Sequence, residues 1–80
     1  MIRLFFNIRE GERLSKDPEG AEFQDIEMAR AEAVRSAREL LSQRVLNGEE
    51  IDGQSFELTD DNGAVVDTVK FRDVLRLHQG

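Results

Sequence analysis

Residues 25–48 read DIEMARAEAVRSARELLSQRVLNG, and this run has the marks of one long amphipathic helix. Asp25 stands where an N-cap belongs. Its carboxylate can accept from the free N–H groups of the first turn and suits the positive end of the helix dipole. At about 100° per residue, Ile26, Ala29, Ala33, Val34, Ala37, Leu40, Leu41 and Val45 fall on one broad face. Glu27, Glu32, Arg35, Glu39, Ser42 and Gln43 fall away from its centre. The alanine-rich first half favours helix and lets the backbone approach a sheet closely. Gly48 suits the C′ position, where a positive φ closes the last turn.

Upstream, Ile2, Leu4, Phe6 and Ile8 alternate with Arg3, Phe5, Asn7 and Arg9, the period-two pattern of a half-buried strand. The even positions are predicted to face the core. Phe5 interrupts the polar face and implies partial cover there. Arg9-Glu10-Gly11-Glu12 reads as a turn, after which 13–15 either returns as a short second strand or stays in the loop. Asp17-Pro18-Glu19-Gly20 is a turn, with Pro18 setting φ at its second position and Gly20 tolerating φ > 0. Phe23 then brings the chain back to the core.

Downstream, Glu49-Glu50-Ile51-Asp52-Gly53 is an acidic loop, and Phe56 and Leu58 alternate with Ser55, Glu57 and Thr59 as a strand. Asp60-Asp61-Asn62-Gly63 predicts a hairpin through a type I′ turn, which Asn-Gly favours. Residues 65–71 form the returning strand. Residues 72–77 form a short helical turn, with Val74 and Leu75 packing back. The predicted order is β-(β)-α-β-β. It makes an α+β, two-layer domain: a three- or four-stranded antiparallel sheet covered on one face by a single long helix. The pattern leaves the strand order open.

Eighty residues make one domain over 1–80, because a second core would have too little to bury; residues 78–80 read as a frayed tail. A core this small gains from association with a copy or a partner. The absence of cysteine excludes disulfides, thiolate metal sites and thiol nucleophiles, and fits a reducing cytoplasm. Residues 1–8 lack the long apolar core and small-residue cleavage site of a signal peptide. No apolar run approaches the roughly 20 residues that span a bilayer. The expectation is a soluble, cytoplasmic protein with no membrane partner. The net charge of −6 argues against nucleic acid, whose nonspecific binding depends on clustered Lys and Arg. It suits solubility or a basic partner.

No set of residues assembles a reaction. His78 is the single histidine, third from the end, with no orienting group in prospect. The acidic runs at 49–52 and 60–61 lack a calcium loop's spacing: counting from Asp60, the fifth position is Ala64 and no closing glutamate follows. The other carboxylates are assigned to turns, a cap or the helix's solvent face, with Asp17 and Glu22 the least firmly placed. Gly48, Gly53 and Gly63 stand too far apart to cradle a phosphate, and the serines lack a nucleophile-elbow context. The sequence therefore predicts no catalytic residue, cofactor, metal or small-molecule ligand.

Two groups of residues resist a purely structural assignment. Arg35 and Arg38 interleave with Glu32 and Glu39 as a solvated face. Arg30 and Arg44, by contrast, lie within or beside the apolar stripe. Either their stems cover the sheet edge while the guanidinium reaches water, or they meet a partner's carboxylates. Phe5, with Arg3 and Asn7, presents an aromatic and a base on the sheet face away from the helix. Aromatic–basic sheet surfaces can hold single-stranded RNA, but one aromatic is no platform. An interface with a protein or a second copy explains it more simply.

Leu4-Phe5-Phe6-Asn7-Ile8-Arg9 with Gly11, the run from Asp17 through Phe23, the run from Asp25 through Ala33, Phe56-Glu57-Leu58-Thr59-Asp60 with Gly63, and Val69-Lys70-Phe71 together resemble a family of short uncharacterised proteobacterial proteins, known only as a domain of unknown function. That family implies no activity, cofactor or site residue. The 17–20 turn and the helix over 25–41 are also similar in shape to HicB-like antitoxin domains, without their DNA-binding segment. These observations favour a non-enzymatic interaction module, self-associating through the open sheet face or an edge strand. On that view Phe5→Ser shifts the protein toward monomer. The alternatives are a HicB-like regulator that binds a small basic partner and, last, a small enzyme.

Overall fold

A computed structural model describes residues 1–48 and 53–78, with side chains through Val74. The acidic loop over 49–52, the tail beyond His78 and the packing expected of Leu75 lie outside what is described, as does the side chain of His78. The order is β1 (Ile2–Glu10), β2 (Arg13–Ser15), β3 (Ala21–Phe23), α1 (Ile26–Leu46), β4 (Gln54–Thr59), β5 (Val65–Lys70) and α2 (Phe71–His78). The fold is α+β: an open antiparallel sheet of five strands and one long helix. The spatial order is β2-β1-β4-β5, with β3 also on β1.

Period-two alternation builds β1. Leu4 is buried, and Phe6 and Ile8 are half-buried against the same core. Ile2, predicted to face that core, is 37% exposed at the sheet's end. The β2 segment is a strand, which settles the open alternative at 13–15. The fifth strand, β3, was not expected. Ala21, Glu22 and Phe23 pair with Leu4, Arg3 and Ile2, so β2 and β3 are two pieces of one return strand along β1. On the β2 register Leu4 would oppose Glu19, but it opposes Ala21. The extra chain is spent in the 17–20 turn.

Ala29, Ala33, Ala37 and Leu41 bury one stripe of α1, flanked by half-buried Val34 and Leu40. Asp25 is the N-cap: its Oδ1 accepts from the Met28 N–H at 2.8 Å. Gly48 follows the cap residue Asn47 with φ +74°, as the stop signal predicts. Ile26 and Val45, assigned to the buried stripe, are instead 42% and 59% exposed. Length explains the difference. The 21 residues of α1 run about 32 Å at 1.5 Å each. The six residues of β4 run about 20 Å. The helix is longer than β4, and Ile26 and Met28 in its first turn and Val45 and Leu46 in its last stay exposed.

Phe56, Leu58, Val69, Phe71 and Val74 complete the core. Phe6 stacks on Phe23 with centroids 5.5 Å apart, and Phe56 meets Phe71 edge-on at 5.1 Å, a favourable geometry for aromatic pairs. Phe71, read as the last strand residue, instead opens α2. The hairpin also departs from expectation. A type I′ turn needs φ > 0 at both central residues, and only Gly63 has it. Gly63 N–H donates to Asp60 O, and Asp60 N–H to Ala64 O. Asp60 Oδ1 accepts from the N–H groups of Asn62 and Ala64. The loop is thus a type I turn followed by a left-handed glycine, organised by the Asp60 side chain.

Candidate functional site

The helices cover one face of the sheet, and the odd positions of β1 mark the other. Strand register sets Phe5 opposite Thr59, Asn7 opposite Glu57 and Arg9 opposite Leu14 and Ser55. A concavity of about 710 Å³ lies on this open face, with Phe5, Leu14, Pro18 and Val65 as its apolar lining. Arg9 and Glu57 cross its floor as an ion pair, Nε to Oε2 at 3.0 Å. Lys16 stands at the β2 edge and Asp61 at the β4–β5 hairpin on the opposite side.

Asn7 sits at the centre and is buried. Its Oδ1 accepts from the Asp17 N–H at 2.9 Å, and its Nδ2 donates to Thr59 Oγ1 at 3.2 Å. One amide therefore ties the 17–20 turn to β4. The Asp17 carboxylate organises that turn: Oδ1 accepts from Glu19 N–H and Gly20 N–H, and Oδ2 from Phe6 N–H. Phe6 lies where β1 passes the gap between β2 and β3, so Asp17 fills the place of a missing strand partner.

Phe5 and Asn7, two of the three residues predicted for this surface, line the concavity together. Arg3 does not. Its Nη1 donates to Glu19 O at 2.9 Å, bracing the turn from outside. The Phe5 ring packs over Gly20, where φ is +68° and an added Cβ would meet Phe5 Cδ2 and Cε2 at 2.9 Å and Leu4 O at 3.0 Å. Gly20→Ala is expected to destabilise the fold by about 1–2 kcal/mol, read from the midpoint of urea unfolding. Arg30 and Arg44 lie elsewhere and are held within the chain. Arg30 pairs with Asp67 at 2.9 Å. Arg44 Nη1 lies 3.9 Å from Glu10 Oε2, which also accepts from Gln54 Nε2 at 2.7 Å.

Arg9, Leu14, Lys16 and Glu57 were missed as site residues. Alternation alone places Arg9 and Glu57 on this face, but their pairing requires the β1–β4 register. Of the charges at the concavity, Arg9 and Glu57 neutralise each other, and Asp17 and Asp60 are engaged with backbone N–H groups. Lys16 and Asp61 remain without an internal bond among the described residues.

A family model described as "Domain of unknown function (DUF6894)" matches residues 3–72. This chain belongs to the DUF6894 family. The match runs from β1 into the start of α2, so it takes in all of the sheet but Ile2, the whole of α1 and every residue of the concavity. No curated protein and no solved structure matches the chain. The DUF6894 domain has no described helix long and apolar enough to cross a membrane.

Proposed function

We propose that this domain is a non-enzymatic, cytoplasmic interaction module that pairs with a second copy of itself through the open sheet face. The observation that carries the reading is the distribution of free charge around the concavity, Lys16 on one side and Asp61 on the other. A two-fold axis over the face sets Lys16 of each copy against Asp61 of the other, the self-complementarity that a symmetric dimer needs. Phe5, Leu14, Pro18 and Val65 supply apolar surface around the concavity, and pairing would help a core this small.

The structure changes which variants test this. Phe5→Ser would remove the ring that packs over Gly20 and loosen the turn, so loss of pairing would not separate interface from fold. Leu14→Arg places a charge in the apolar lining of the face and is expected to leave a folded monomer, by sedimentation equilibrium. Lys16→Glu or Asp61→Lys alone is expected to weaken pairing by about 0.5–1 kcal/mol, and the double reversal to restore it. A wild-type monomer at high concentration would overturn the proposal. The second reading, a HicB-like regulator holding a small basic partner, is favoured by the net charge of −6. It predicts that Lys16→Glu strengthens capture of that partner, whereas self-pairing predicts a loss.

A further inference from the structure

β5 is the outermost strand on one side of the sheet. It is one continuous strand with a single register shift, where Leu58 opposes Asp67 and Thr59 opposes Val65, whereas the opposite edge is interrupted between β2 and β3. Val65 and Val66 are exposed there, at 51% and 38%. An open edge strand is a template for another strand unless something blocks it. Thr68, in the second half of β5, lies opposite Glu57 of β4. Its N–H donates to Asp67 Oδ1 at 2.8 Å, and its C=O accepts from Arg30 Nη1 at 3.3 Å. The same Arg30 nitrogen donates to both oxygens of Asp67 at 2.9 Å each. An antiparallel neighbour pairs through the donor and acceptor of one outward-facing residue. On β5 those two groups of Thr68 are already engaged, by a carboxylate and a guanidinium reaching over from α1.

We propose that the Arg30–Asp67 pair is a latch on the β5 edge, and that the strand it withholds pairs antiparallel with β5 of a second copy of this chain. The sequence of the strand suits that occupant. Pairing centred on Thr68 sets Val66 against Lys70 and Asp67 against Val69, with no like charges opposed. Thr68 then exchanges N–H and C=O with its own counterpart. The latch is weak enough to open: its side chains are 49% and 26% exposed, and exposed ion pairs are screened by salt. Edge pairing is independent of pairing through the open face, and the latch directs the chain away from it.

The test is made in the Leu14→Arg background, where pairing through the face is removed. Arg30→Ala and Asp67→Asn are each expected to tighten self-association by about tenfold over Leu14→Arg alone in sedimentation equilibrium. Circular dichroism checks that each variant is folded. The gain is expected to bring protection of the Thr68 amide from hydrogen exchange that rises with protein concentration. Adding Thr68→Pro, which removes the edge donor, is expected to abolish it. Folded Arg30→Ala and Asp67→Asn variants that associate no more than their parent would overturn the proposal. So would a gain that survives Thr68→Pro.

Discussion

Phe71→Ala is expected to leave little folded protein at room temperature in mild denaturant. The Phe71 ring is fully buried at the junction of β5 and α2, edge-on to Phe56. Removing a buried phenylalanine side chain costs about 3–5 kcal/mol, because transfer energy is lost and the cavity collapses only in part. Total stability at ordinary values per residue is about 4–12 kcal/mol for a chain of 80 residues, so one substitution removes a large fraction of it. The core has few other large side chains to close over the gap: Leu4, Leu58, Val69 and Val74 are the other large side chains fully buried among the described residues. Urea unfolding followed by circular dichroism reads the effect. A loss below about 1 kcal/mol would show that α2 is not part of the cooperative core.

Asp17→Ala is expected to cost about 2–4 kcal/mol and to dismantle one side of the concavity. The carboxylate accepts three backbone N–H groups, those of Phe6, Glu19 and Gly20. Without it, water reaches the exposed Glu19 N–H but not easily the part-buried groups of Phe6 and Gly20. Asp17→Asn separates the two halves of the role. Its one oxygen can hold the turn, but its NH2 would face the Phe6 N–H, donor against donor. Its stability is therefore expected to fall between wild type and Asp17→Ala. Hydrogen exchange at Phe6 is the specific readout. Asp17→Ala and Asp17→Asn should both accelerate it, whereas a variant that only loosens the loop should not. Lys16 and Pro18 flank Asp17 at the concavity, so the same variants are expected to weaken pairing through the open face.

Local chemistry was legible in the chain wherever a signal and its effect lie within a few residues. Asp25 caps α1, Gly48 follows its end, Pro18 and Gly20 shape a turn, and Ala29, Ala33 and Ala37 line the helix's buried stripe. The open sheet face was legible in the same way, because alternation assigns Phe5, Asn7 and Arg9 to one side of β1. β3 was not legible. Ala21-Glu22-Phe23 is too short to show a period, and it is a strand only because β1 offers Ile2, Arg3 and Leu4 as partners. The hairpin type was misread for a related reason: Asn-Gly permits a type I′ turn, but the Asp60 carboxylate, bonded to Asn62 and Ala64, favours another.

The sequence by itself determined every element but β3, the layer arrangement and the family, since each depends on periodicity, caps and local composition. Only the tertiary structure decided what the individual polar residues do. Asn7 looked like part of a free surface and is a buried cross-tie between the 17–20 turn and β4. Arg30 looked like a snorkelling or partner-seeking cation and is bound to Asp67, far along the chain. In both cases the partner is set by strand register and helix placement. Those are global quantities, fixed when the whole core packs, and no local window of sequence contains them.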